Sequence, residues 1–166
     1  KDNPQGLLAV ARMRRWALAD LSADSMPWAV ALVAPQDPGN VGTILRTLDA
    51  VGASALFLLD ASVDAYHPSA VRASMGALFW RPVVNAAFDD WAAWVRGHGY
   101  HVVGTSAHAS IDYRSSPPYR LPLMVLLGSE REGLTPRQSA QCERMVSMPM
   151  RGRVTSLNLA VAAGII

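Results

Sequence analysis

A single cysteine, Cys142, stands among the 166 residues, so no disulfide can close within the chain. That usage fits a reducing, cytoplasmic setting. Charged residues make up only 17% of the chain, which argues against a disordered, self-repelling polymer. No uninterrupted apolar run reaches the ~20 residues that span a bilayer. No signal-peptide pattern stands at the start, and no membrane partner is expected. A GxGxxG turn after the first predicted strand is missing, so a dinucleotide-binding dehydrogenase lacks its glycines. GxxxxGK[ST] is absent as well, which removes the phosphate-cradling P-loop. Without GxSxG, Ser129 is not placed on a nucleophile elbow. The four histidines, His67, His98, His101 and His108, lack companions at metal-ligand spacing and read as surface or core fillers. No metal is expected. Cys142 has no histidine near it in sequence and reads as a packing residue.

What is present is apolar. Hydrophobic residues make up 51%, enough for well-covered strands. At this length one α/β domain is expected, burying roughly 70% of the surface its unfolded chain exposes. A net charge of +2 and a pI near 9.0 permit an anionic partner without establishing one. Residues 7–21 read as a helix with a basic stripe, Arg12, Arg14 and Arg15, beside Trp16. That stripe is either a solvated face or an RNA contact. The run 28–34 has strand length and no polar interruption, the mark of a strand covered on both faces. A helix over 41–51 should follow and end at Gly52, and 55–59 reads as a second buried strand ending at Asp60. Further on come a helix over 68–78, a strand over 81–84, a helix over 89–96 and a strand over 100–104. Residues 107–120 read as a surface loop, and 121–127 as the most clearly buried strand. A short helix from Pro136 leads to a strand near 145–148. In the closing stretch Thr155 and Ser156 offer cap chemistry to an apolar helix over 157–166, expected to be buried, with Asn158 in its first turn. The alternation predicts a mostly parallel sheet with helices on both faces.

Ligands of such sheets bind beyond the carboxyl ends of the strands, and three loops there are chemically marked. The first is Pro38-Gly-Asn-Val-Gly42, with Asn40 placed to cap a helix that carries Arg46. A cap with a surface arginine, or a phosphate-accepting helix terminus, would account for it equally. The second, Gly128–Gly133, has glycines at both ends and Glu130 beside Arg131 and Glu132. An ordinary turn with an ion pair would look the same. The third, 149–158, carries Arg151, Arg153, Ser156 and Asn158. Each loop alone is weak, but their recurrence at equivalent strand ends marks one site.

Asn40-x-Gly42-x-x-x-Arg46, then Leu127-Gly-Ser-Glu-x-Glu-Gly133, then Met148-Pro-Met-x-Gly-x-Val-x-Ser-Leu-Asn158, resemble the three motifs of the SpoU/TrmH family of RNA ribose 2′-O-methyltransferases, within the SPOUT superfamily. Pro4-Gln-Gly6 is similar to the lead into that family's catalytic domain, and Arg72-Ala-Ser-Met-Gly-Ala77 to another recurring stretch. The resemblance covers nearly the whole chain in order and spacing. It implies a SPOUT-type α/β fold with a deep C-terminal trefoil knot, S-adenosylmethionine as cofactor, ribosomal or transfer RNA as partner, and a homodimer. It further implies cofactor contacts from Gly128, Met148 and Leu157, with Thr105 and Ser106 as additional candidates. Arg46 would be the catalytic arginine, with Asn40, Glu130, Ser156 and Asn158 around it. Arg12, Arg14, Arg15, Arg131, Arg151 and Arg153 would follow the RNA backbone. Residues 1–27 would be a helical lead-in from a preceding RNA-binding domain, and 28–166 the catalytic domain with its last helix cut short. A non-catalytic RNA-binding member of the same fold remains the alternative.

Overall fold

Within the apolar run that begins at Trp28, side chains alternate between two faces of a pleated strand, β1 (Trp28–Val33). Ala29, Ala31 and Val33 enter one hydrophobic layer, while Val30 and Leu32 enter the other. The same double burial produces β2 (Leu56–Leu59), β3 (Val83–Ala86), β4 (His101–Thr105) and β6 (Leu123–Leu127). Two shorter strands, β5 (Ile111–Asp112) and β7 (Arg144–Ser147), complete a sheet of order β3-β2-β1-β6-β4-β7-β5. Every pairing is parallel. The fold is that of a computed structural model, which describes Gly6 and residues 9–166.

Helices cover both faces. One layer is α3 (Phe88–Gly97), whose Phe88, Trp91, Ala92 and Val95 pack on Phe57, Leu59, Val102 and Leu126. Across the sheet lie α1 (Pro38–Val51), α2 (Pro68–Ala73) and α5 (Leu159–Ile165). Their apolar sides, among them Val41, Ile44, Leu45 and Leu159, meet Val30, Leu32, Leu58 and Leu127. A single turn, α4 (Pro136–Ser139), precedes β7 and is capped by the Thr135 hydroxyl, which accepts from the Gln138 N–H at 3.3 Å. Asp60, just past β2, accepts the Phe88 N–H at 2.8 Å, so one strand's end supplies the first hydrogen bond of a helix beyond the next strand.

Several expectations are corrected. The helix expected over 7–21 is absent from its described part. Residues 9–17 are non-helical, Trp16 bridges Val84 in parallel beside β3, and only Leu18–Asp20 forms a 3-10 turn. The open edge of β3 and the partial burial of Trp16 against the core override a weak helical pattern. Leu7, Leu8 and the Pro4-Gln5 pair lie outside the described residues. α1 is capped by Asp37, whose Oδ1 accepts from Gly39 at 2.7 Å, and Asn40 sits inside its first turn. α5 is capped by Asn158, not by Thr155 or Ser156. Its Oδ1 accepts from Ala160 and Val161 at 2.9 and 3.3 Å. α5 is not buried all round either: Val161 and Ile165 are 50% and 42% exposed, because only the side against α1 and the sheet is covered. The helix expected over 68–78 breaks where Met75 and Gly76 take positive φ, and the loop over 107–120 contains β5.

Gly42 is a packing glycine. A Cβ there would lie 2.3 Å from the Ala70 carbonyl oxygen and 2.8 Å from the Ala73 methyl, at the crossing of α1 and α2. Cys142 packs beneath Gly104, and burial pushes its thiol up to about 12. Gly42→Ala should lower folding stability by about 1–3 kcal/mol through overpacking, read by chemical denaturation, despite its better helix propensity. Iodoacetamide at pH 8 should leave Cys142 unmodified in the native protein. In denaturant the thiol returns toward about 8.5 and should react promptly.

Candidate active site

Because all strands run the same way, β1, β4, β6 and β7 deliver their following loops to one end of the sheet. The loop after β6 closes on itself. Ser129 and Gly133 exchange backbone hydrogen bonds of 3.2 and 3.0 Å, and the Ser129 hydroxyl accepts the Glu132 N–H at 3.2 Å. Gly128 is required by that closure, since a Cβ there would lie 2.1 Å from the Gly133 carbonyl carbon. The closed loop stands as a wall with a cleft on each side.

On one side is a cleft of about 340 Å³. Thr105 and Ser106 enter it from β4, Gly128, Glu130 and Arg131 from the wall, and Met148, Ser156 and Leu157 from the stretch after β7. Its apolar surface includes Leu127, Leu134, Val146, Met150 and Leu159. His108, an exposed residue, also lines it, and its backbone N–H donates to the Ser106 hydroxyl at 3.2 Å. Nothing in the sequence separates His108 from the other histidines; only the turn after β4 brings it here. On the other side is a cleft of about 590 Å³ between the β1–α1 loop and the same wall, lined by Gln36, Asp37, Asn40 and Ser129 to Glu132. Gln36, which the sequence reading passed over, spans the ends of β1 and β2. Its Nε2 donates to the Ala34 and Ala61 carbonyls at 2.9 and 3.1 Å.

A line of side chains ties the three marked loops together. Asn158 spends its Oδ1 on the first turn of α5 and donates through Nδ2 to Asn40 Oδ1 at 2.9 Å. Asn40 in turn donates through Nδ2 to Glu130 Oε1 at 3.4 Å. With oxygen accepting and nitrogen donating at each link, the orientation of both amides follows from the bonds they make. The helix N-cap is thereby wired to the wall between the clefts.

The remaining candidates lie apart. Arg46 is exposed on α1, lines neither cleft, and has no side-chain hydrogen bond or ion pair among the described residues. Six residues after Asn40, it has rotated well round the helix. Arg12, Arg14 and Arg15 are exposed on the segment flanking β3, at the opposite edge of the sheet from β7. There the Arg14 guanidinium lies 3.8 Å from the Trp16 ring centroid. Arg151 and Arg153 are exposed in the loop before α5. Arg114 holds the Asp112 carboxyl down to about 2, mainly through side-chain hydrogen bonding, with Arg151 adding a smaller electrostatic contribution. No group of acidic, histidine or cysteine side chains among the described residues could hold a metal ion. No described helix is long and apolar enough to cross a membrane.

The SpoU rRNA Methylase family profile matches residues 27–166. A 23S rRNA (uridine(2479)-2′-O)-methyltransferase of Streptomyces viridochromogenes is 37% identical over 135 residues, covering 78% of this chain and 47% of that protein. A 23S rRNA (guanosine(2553)-2′-O)-methyltransferase of Bacillus subtilis is 30% identical over 165 residues, 99% of this chain and 64% of its own length. Among solved structures, an AdoMet-bound rRNA methyltransferase from Sinorhizobium meliloti superposes with a TM-score of 0.87 at 38% identity, covering 92% of this chain and 58% of that one. The chain thus spans roughly half to two thirds of these relatives' lengths. With its seven-stranded parallel sheet and all three motif loops gathered at one end, the chain belongs to the SpoU rRNA methylase family.

Proposed function

We propose that residues 28–166 are the catalytic domain of a methyltransferase that moves a methyl group from S-adenosylmethionine to a ribose 2′-hydroxyl in structured ribosomal or transfer RNA. Residues 1–27 are then the lead-in from an RNA-binding part. The observation that carries this reading is the Asn158–Asn40–Glu130 line beside the 340 Å³ cleft, which unites all three motifs at one wall. Membership in a family whose named relatives methylate 23S rRNA supports it.

The cleft fits the cofactor. Its volume falls within the roughly 300–1,000 Å³ usual for small-molecule pockets. Leu134, Met148 and Leu157 offer apolar surface to an adenosine, while Thr105, Ser106 and Gly128 bring polar groups to the same cleft. Glu130 and Glu132 bring negative charge to a wall that would face a sulfonium. When bound, S-adenosylmethionine supplies an electrophilic methyl. The chain's own task is to hold the ribose oxygen roughly 3 Å away and in line. Arg46 suits an orienting and electrostatic role, since a free guanidinium does not titrate below ~12 and makes a poor base. Asn40, Asn158 and Ser156 keep the polar side of the site in register. Arg131, Arg151 and Arg153 continue toward the RNA backbone, with Arg12, Arg14 and Arg15 as a more distant contact. In this reading the threaded C-terminal segment makes a deep trefoil knot. Support comes from the position of β6 between β1 and β4, with α5 returning to α1.

A homodimer completes the proposal. Val51 on α1 and Val161 and Ile165 on α5 are exposed by 58%, 50% and 42%, and a second subunit would cover such surface. Arg46, exposed on the same α1, would approach the reacting centre from that side.

The deciding experiment supplies the protein and labelled S-adenosylmethionine to RNA from cells lacking the enzyme, then resolves the nucleosides. A 2′-O-methylated nucleoside should appear, and its absence would sink the activity. Leu157→Arg should weaken cofactor binding by about 100-fold or more in calorimetry, by filling an apolar wall with charge, while melting stays near wild type. Arg46→Lys should reduce turnover by about 10²-fold with RNA affinity little changed, because a point charge cannot reproduce the planar fork.

A further inference from the structure

The geometry points to Glu130 as the group that takes the proton from the ribose hydroxyl, an assignment that rests on the methyl-transfer reading above. Glu130 lies on the wall that separates the two clefts and lines both of them. A methyl donor in the smaller cleft and a ribose in the larger one would meet over the edge of that loop, beside Glu130, where the two clefts share their lining. Asp37 and Glu132 are the other carboxylates there, and each is less suited. Asp37 lines only the larger cleft, away from the methyl donor, and its carboxylate caps α1 by accepting the Gly39 N–H. Glu132 takes no hydrogen bond or ion pair on its carboxylate among the described residues, so nothing fixes its direction. Glu130 is held through Oε1 by Asn40, itself held by Asn158. Its Oε2 has no partner among the described residues and remains available to accept.

The electron and proton accounting closes with groups already named. A lone pair of the ribose 2′-oxygen forms the new bond to the methyl carbon. The methyl–sulfur bond breaks with its pair going to sulfur, leaving a neutral thioether. The hydroxyl hydrogen passes to Glu130, which becomes a carboxylic acid and returns the proton to solvent across its exposed side. A carboxylate is basic enough, because the hydroxyl becomes strongly acidic as its oxygen bonds to the methyl. Proton removal therefore accompanies transfer and need not precede it. Arg46, outside both clefts and with no hydrogen bond or ion pair on its side chain among the described residues, retains the orienting role. Asn40 and Asn158 act through Glu130 as positioning residues.

Glu130→Gln keeps an oxygen for the Asn40 amide and removes the basic carboxylate. With wild type methylating RNA, kcat of this variant should fall by about 100-fold or more. Cofactor affinity by calorimetry should fall by no more than about tenfold, since Glu132 shares the negative charge that would face the sulfonium, while RNA affinity and melting temperature should stay close to wild type. The wild-type kcat should decline on the acid side as Glu130 is protonated, and Glu130→Gln should lose that limb. Glu130→Asp, which retains a carboxylate, should recover part of the rate and the limb. Turnover of Glu130→Gln within about threefold of wild type would overturn the proposal, as would an unchanged acid limb. A loss of turnover that tracks a loss of cofactor binding would overturn it too, by making the role structural. If wild type itself transfers no methyl to any RNA, the activity reading fails and this assignment falls with it.

Discussion

The parallel pairing of β6 between β1 and β4 is the constraint on which the other features depend. It matches Trp28 to Leu123 and Leu32 to Leu127 on one side, and His101 to Leu123 and Gly104 to Leu126 on the other. Two segments some seventy residues apart in sequence are thereby set on either side of a third. Each strand in this trio is buried on both faces, so a slip of one residue would exchange the whole set of side chains between the two faces of the sheet. The register is therefore stiff, and the loops that leave β1, β6 and β4 emerge at a common level. The wall of Gly128–Gly133 is the central one of these loops, which is why it has a cleft on each side.

Local closure refines what the sheet sets roughly. The wall is a ring shut by Ser129 and Gly133; the amide of Asn40 reaches it directly, and that of Asn158 reaches it through Asn40. Asn158 does two jobs with one carboxamide: its oxygen begins α5 and its nitrogen reaches Asn40. A hydroxyl at the same position could serve the cap but has no second group at that reach. This accounts for an amide at a place where Ser or Thr would cap as well. The same division of labour leaves one oxygen of Glu130 without a partner among the described residues, at the boundary between the clefts.

Some of this was legible in the chain as written. Continuous apolar runs such as 28–34 and 121–127 can be satisfied in a chain of this size by strands with helices on both faces, so the α/β class followed from burial alone. The ends of α1 and α3 followed from Gly52 and from the length of the periodic segments. The segment after Leu8 was misread because a few apolar positions among arginines suit a helix as well as an extended edge. The open side of β3 decides between them. Caps were displaced by a few residues, from Asn40 to Asp37 and from Thr155 and Ser156 to Asn158. Neighbouring Asx and hydroxyl side chains compete on nearly equal terms until packing sets the helix axis.

The sequence by itself determined which residues had to be buried and which loops carried unusual chemistry, since hydrophobic period and side-chain type are local properties. It marked Asn40, Glu130 and Asn158 without saying that they touch. Only the tertiary structure decided that, because their contact spans the β1–α1, β6 and β7 loops and exists once β6 has entered between β1 and β4. It also decided that Gly42 serves helix packing, that His108 and Gln36 face clefts, and that Arg46 lies outside both. Each of those depends on the direction of a side chain from an element whose neighbours are distant in sequence, and no local pattern encodes it.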